Sequence, residues 1–312
     1  MKRQREGVAG SSPDDGPDAL AFRLKSDIPN HVKPSPKPLP LKDAAAAYEH
    51  FGEAIKHEIG RYAVRIVTIK NGTPEDAGSG TCVKIGPRYF ILTAAHVILG
   101  YTVDTVWIVA KGGAMNRRVR PIRLGVRGGK KREAIDVAYI EIDEASVRQL
   151  HLEALPSTRL HGRPILTDEF IALSGIPGET LTVKRRGPNP DDIDLIWQPF
   201  TAITVHKDIT KWHAVVDKSV EIEADYPKHF AALLPGGSPQ KLPDAPGMSG
   251  GGFWLCNLPT RAEVWSATQI ELAGTVTAWH GTQRYLTASR IANTVGLLSD
   301  EFPEWRSISR PA

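Results

Sequence analysis

A serine set among glycines, Pro246-Gly247-Met248-Ser249-Gly250-Gly251-Gly252, is where chemistry first suggests itself in this sequence. Such a turn lifts a hydroxyl clear of its flanking strands and leaves backbone N–H groups beside it facing open space. Acyl transfer asks this of a nucleophile and its oxyanion hole. A purely structural role fits the same residues, because glycine supplies positive φ and serine favours turns. Two upstream stretches add to it. Phe90-Ile91-Leu92-Thr93-Ala94-Ala95-His96-Val97 runs an apolar strand into small residues and a histidine, and Ile135-Asp136-Val137-Ala138-Tyr139-Ile140 opens a strand with an aspartate. Taken singly, His96 reads as a strand-end side chain and Asp136 as a turn or cap residue. Together they give histidine, aspartate and serine in that order, 40 and then 113 residues apart, one of the chain orders in which nucleophilic triads occur.

A triad assembled from such distant segments needs a rigid β framework, and the pattern supplies one. Short runs rich in β-branched and aromatic residues, punctuated by Gly, Pro and Asp, predict strands near 62–69, 80–85, 89–93, 105–110, 118–126 and 136–142. Residues 144–163 are mixed and connect to a second series near 170–173, 181–184, 195–205, 220–224, 252–256, 270–279 and 284–286. The expectation is an all-β chain in two halves, barrels or sandwiches. The first half, 61–163 with its connecting segment, carries His96 and Asp136; the second, 164–288, carries Ser249. Each end adds a helix. Over 42–60, Tyr48, Phe51, Ile55 and Ile59 recur at spacings of three and four on one face. Over 289–312 a helical pattern at 289–298 and a tail follow, with Ser289 or Thr287 as N-cap. Residues 1–41 hold few large apolar side chains and the alternating Pro34, Pro36, Pro38 and Pro40. They read as a disordered or semi-rigid arm, with partner docking or proteolytic removal as the functional alternative.

Composition bounds the partners. Hydrophobic residues make up 41% and charged residues 24%, as in folded soluble proteins. The net charge of +4 comes from 39 basic and 35 acidic residues, and the clusters Lys2-Arg3, Arg117-Arg118, Lys130-Lys131-Arg132 and Lys184-Arg185-Arg186 are short. Solvated loops account for them, so nucleic acid is not an expected partner. No apolar stretch follows the basic Met1-Lys2-Arg3-Gln4-Arg5, no run of 18 apolar residues occurs, and there are only two cysteines, Cys82 and Cys256. A cytoplasmic, reduced protein with no membrane contact is the expectation.

Gly80-Thr81, Thr93-Ala94-Ala95-His96, Asp136-Val137-Ala138 and Gly247-Met248-Ser249-Gly250-Gly251 together resemble the trypsin-like (chymotrypsin-fold) serine peptidases, over roughly residues 60–298. The resemblance is closest to bacterial-type intracellular members without disulfides. It implies two six-stranded antiparallel β-barrels packed face to face with the cleft between them. It implies a catalytic triad His96–Asp136–Ser249, an oxyanion hole from the N–H groups of Gly247 and Ser249, a protein or peptide substrate, and neither metal nor cofactor. It also suggests substrate-pocket residues. Trp279 and His280 lie on the strand resembling the pocket wall. Thr277 falls where the family often has a serine supporting the triad aspartate. Asp244 stands five residues before Ser249, near the expected pocket floor. A Pro-Asp turn explains Asp244 equally, and His280 resembles the histidine of glutamate-specific relatives at an offset position. Ser174-Gly175-Ile176-Pro177-Gly178 resembles a structural turn of bacterial members. The departures are Val97 in place of the cysteine after the histidine, Cys82 and Cys256 without their usual partners, and Met248 in place of the zymogen aspartate. The alternative is a catalytically silent peptide-binding or scaffold protein on the same fold.

Overall fold

The computed structural model describes residues 41–70, 73–109, 118–129, 135–178, 182–185, 187, 193–197, 199–206, 220–225, 244–258, 265–282 and 284–305. Apart from Leu41, the arm expected at 1–41 lies outside these residues, as does the cluster 130–132.

The chain is mostly β, in two antiparallel sheets with few helices. After helix α1 (Leu41–Gly60) come β1 (Ala63–Lys70), β2 (Thr73–Ile85), β3 (Arg88–Thr93), the single turn α2 (Ala95–Ile98), β4 (Val106–Val109), β5 (Arg118–Val119), β6 (Arg123–Gly128), β7 (Asp136–Ile142), α3 (Glu144–Gln149) and β8 (Leu155–Pro156). They form one sheet in the order β5-β4-β1-β2-β3-β7-β6, with β8 added parallel to β2. The second half holds β9 (Phe170–Gly175), β10 (Thr182–Arg185), β11 (Ile193–Ile196), β12 (Phe200–Val205), β13 (Glu221–Asp225), β14 (Gly252–Leu255), β15 (Glu271–His280), β16 (Tyr285–Arg290) and helix α4 (Ile291–Glu301). Its sheet runs β12-β9-β14-β15-β16-β13, and β10 pairs only with β11 among the described strands.

Several expectations change at prolines and ends. The run expected at 118–126 is two strands, because Pro121 stands between β5 and β6 and offers no N–H to a ladder. Pro199 likewise divides the run 195–205, and its halves join different sheets. The first sheet has eight strands where six were expected, since the run 118–126 is split in two and the long β2 accepts β8 along one edge. The closing helix starts at Ile291, after Arg290; Ser289 is a buried residue of β16, next to its last, and caps nothing. Within 144–163 a short helix forms where Asp143 Oδ1 accepts the Ser146 N–H at 2.6 Å.

Strands apolar on both faces produce three cores. Ile66, Cys82, Ile91, Ile108 and Ile140 fill the first sheet. Leu173, Ala202, Phe253, Val276 and Leu286 fill the second. The third lies between the sheets, where Val83, Phe90, Leu92 and Tyr139 of the first meet Ala172, Ile203, Trp254 and Leu272 of the second. Both terminal helices seal this third core. Helix α1 inserts Ile55 and Ile59, both fully buried, and α4 is followed by Phe302 and Trp305. The Phe90 ring lies 5.6 Å from Phe302 and 5.4 Å from Trp305, in edge-on contacts. Beneath α1, Glu58 accepts hydrogen bonds from Arg159 at 2.6 Å, Tyr62 at 2.7 Å and Arg61 at 2.8 Å. Burial pushes the Glu58 carboxyl upward, but these three donors outweigh it and hold its pKa below the ordinary value. No described helix is long and apolar enough to cross a membrane.

Candidate active site

Register brings His96 and Asp136 together. In the antiparallel pair β3–β7, Thr93 stands opposite Ala138. His96 follows Thr93 by three residues and Asp136 precedes Ala138 by two, so both lie at one end of the pair. The small Ala94 and Ala95 are fully buried and let the chain turn tightly into α2. Gly129 packs so closely from the β6 side that a Cβ on it would stand 2.6 Å from Ala95 Cβ and 3.0 Å from His96 N. Its φ of +86° is also open to glycine and costly for other residues.

The Asp136 carboxylate then accepts twice from His96. Nδ1 donates to Oδ2 at 2.6 Å and the backbone N–H to Oδ1 at 3.0 Å. A carboxylate accepts only, so Nδ1 carries the hydrogen and the imidazole is fixed in one tautomer and orientation. Asp136 is 15% exposed in its side chain and His96 40%, so the ring stands at the surface above a shielded carboxylate. The Asp136 N–H donates to Ser289 Oγ at 3.4 Å, a contact across to the second sheet.

Ser249 arrives from that second sheet, in the turn before β14. Gly247 at φ +91° and Gly250 at φ +86° shape the turn. Three of its N–H groups are used internally or by β15: Met248 donates to Ala245 O at 2.9 Å, Gly250 to Val276 O at 2.7 Å and Gly251 to Met248 O at 2.8 Å. Among the described residues, the N–H groups of Gly247 and Ser249 have no acceptor. Two donors two residues apart, beside a half-buried serine, are what an oxyanion site needs. The turn meets the first sheet through Ser79, whose N–H donates to Ser249 O at 2.8 Å. Gly78 separates the two halves of the site. A Cβ on it would stand 2.5 Å from Val97, the neighbour of His96, and 3.2 Å from Ser249 O.

The expected pocket residues lie as follows. Asp244 is exposed, next to the buried Ala245. Thr277 is buried, and its hydroxyl is bonded to Thr287, with the carbonyl at 3.3 Å and Oγ1 at 3.4 Å. Thr277 therefore makes no hydrogen bond to Asp136, and Ser289 Oγ meets Asp136 only as acceptor of its backbone N–H. Trp279 and His280 lie about 10 Å and more along β15 from Val276, where the nucleophile turn is bonded. The Arg284 guanidinium lies over the Trp279 ring at 4.8 Å, and His280 stacks on Tyr285 at 4.1 Å. A cleft of about 520 Å³, lined by Ile69, Lys70, Leu99, Tyr101 and Thr105 among others, opens where α2 ends. Among the described residues no group of three or more His, Cys, Asp or Glu is gathered as metal ligands would be.

Ser79, which bonds Gly247 O, and Arg65, which bonds Ile176 O, were not singled out from the sequence, and the turn 174–178 was read only as structural although Gly178 bonds Pro246 O. Of the two side chains, only Ser79 carried a local signal, as the centre of Gly78-Ser79-Gly80, where missing side chains announce a close backbone approach.

No protein-family model matches the chain, and no curated protein matches it. Among solved structures it is similar to the serine endoprotease from Yersinia pestis, at 14% identity and a TM-score of 0.48 over 81% of this chain and 67% of that one. It is similar to a thermostable serine protease from an extremophilic microorganism, at 10% identity and a TM-score of 0.48 over 78% and 98%. An inactivated protease paralogue from the scabies mite gives 16% identity and a TM-score of 0.46 over 80% and 96%. At such scores, any chemistry assigned to the site rests on its own residues.

Proposed function

We propose that the chain is a serine endopeptidase that hydrolyses peptide bonds through His96, Asp136 and Ser249. The observation that carries this is the doubly bonded Asp136–His96 pair at the end of β3–β7, together with a serine turn, across Gly78 from Val97, in which the Gly247 and Ser249 N–H groups lack acceptors among the described residues.

In this reading Ser249 Oγ attacks the scissile carbonyl carbon while His96 Nε2 takes the hydroxyl proton. The carbonyl oxygen becomes negative and is held by the N–H groups of Gly247 and Ser249. The imidazolium is stabilised by Asp136, which keeps Nδ1–H in place. His96 then gives its proton to the leaving amine, the C–N bond breaks, and an acyl group remains on Ser249. Water, deprotonated by the same imidazole, releases the carboxylic acid and restores the serine.

A serine-directed fluorophosphonate tests this. Wild type is expected to be labelled, and Ser249→Ala is not. Labelling that survives in Ser249→Ala would place the nucleophile elsewhere. A wild type that binds peptides but neither labels nor cleaves them would favour the silent peptide-binding alternative.

A further inference from the structure

The nucleophile turn is held from outside by a residue with no place in the three-residue mechanism. In a trans peptide the N–H and C=O point to opposite sides, so whatever anchors the oxygen also aims the hydrogen. The Pro246–Gly247 peptide has its oxygen bonded by Gly178 N–H at 2.8 Å, and this turns the Gly247 N–H to the other side. The Met248–Ser249 peptide has its oxygen bonded by Gly251 N–H at 2.8 Å, and this turns the Ser249 N–H likewise. The oxygen of the peptide between them, that of Gly247, accepts the Ser79 hydroxyl at 2.7 Å.

Ser79 is 1% exposed and every polar atom on it is engaged. Its Oγ also accepts the Ile176 N–H at 2.7 Å, its N–H donates to Ser249 O at 2.8 Å, and its carbonyl accepts Thr93 Oγ1 at 2.8 Å. Ile176 belongs to the turn that supplies Gly178, and its own carbonyl is bonded by buried Arg65 of β1. One hydroxyl therefore joins the oxyanion turn to the turn that anchors it. Glycine at 247 rotates about both backbone torsions at little steric cost. Without the hydroxyl, Gly247 O would lose its donor and Ile176 N–H its acceptor, and only the Gly178 and Gly251 bonds would remain to hold the adjoining peptides.

We propose that Ser79 is a positioning residue for the oxyanion turn, acting through Gly247; this rests on the peptidase reading above. The test compares an activated ester with the thionoester of the same acyl group, in which sulfur replaces the carbonyl oxygen. Sulfur accepts hydrogen bonds poorly, so a formed oxyanion site favours the ester strongly and an unformed one does not. In Ser79→Ala, kcat for the ester is expected to fall about 10²-fold with KM little changed, and the ester-to-thionoester ratio to fall with it. Ser79→Cys keeps the bulk and a weak S–H donor; it is expected to fall between wild type and Ser79→Ala, and it carries the test if Ser79→Ala does not fold. A folded variant with lowered Tm and an unchanged ratio would overturn the proposal and leave Ser79 a packing residue. A wild type without Ser249-dependent ester hydrolysis would overturn the peptidase reading, and the positioning role with it.

Discussion

Asp136 takes two hydrogen bonds from one residue, His96, through the ring at 2.6 Å and through the main chain at 3.0 Å. A carboxylate gripped at both oxygens fixes not only the tautomer of the imidazole but also the plane in which it lies. Asp136→Asn keeps the shape but offers an N–H where one of these donors now points. We expect kcat to fall about 10⁴-fold with a small change in Tm, measured on an ester substrate beside a melting curve. Activity within tenfold of wild type would show that the pair does not act in the reaction.

Gly247 adopts φ +91°, and a Cβ there would stand 2.9 Å from both Gly178 N and Ile176 O. Gly247→Ala therefore meets backbone on two sides in addition to torsional strain of about 1–3 kcal/mol. The turn must shift, and kcat is expected to fall about 10²–10³-fold, as for loss of one oxyanion donor. Wild-type kcat in a folded Gly247→Ala protein would remove Gly247 from the site.

Glu58 links helix α1 to Arg159, Tyr62 and Arg61, and its folded pKa lies below the ordinary value. The sign follows from linkage. A depressed carboxylate stabilises fully above its unfolded pKa, about 4.3, and that contribution is lost as pH falls through the folded value. Urea midpoints measured from pH 7 to pH 3 should fall below about pH 4.3, and less steeply in Glu58→Gln. At pH 7 the same variant should be less stable by about 1–3 kcal/mol, since it leaves the part-buried Arg159 without its anion. Parallel pH profiles for the two proteins would exclude this role for Glu58.

Cys82 is fully buried, and burial pushes its thiol pKa up to about 12; burial pushes Cys256 up as well. Neither should react with iodoacetamide at pH 8 in the folded protein, and both should react in urea, as read by mass spectrometry. Modification of the native protein at either thiol would mean that the core opens under those conditions.

Local patterns made much of the framework legible in advance. The strand over residues 136–142 was readable from its apolar run, and Phe51, Ile55 and Ile59 marked the inner face of α1. The breaks at Pro121 and Pro199 were written in the sequence too, but the apolar runs across them outweighed the prolines. Ser289 lies inside β16; a serine before an apolar helical pattern suits an N-cap and a strand alike, and nothing local distinguishes the two.

By itself the sequence determined the chemical inventory: a histidine and an aspartate at strand ends, a serine in a glycine turn, and β segments to carry them. These follow from side-chain type, alternation and turn chemistry, which act over a few residues. The tertiary structure alone decided who meets whom. Ser289 reaches Asp136 across 153 residues and Ser79 reaches Gly247 across 168. Such bonds depend on the register of β2, β3 and β7 and on how one sheet packs against the other. Register and packing are settled by burial of the shared core, a sum over many distant side chains that no short stretch of sequence contains.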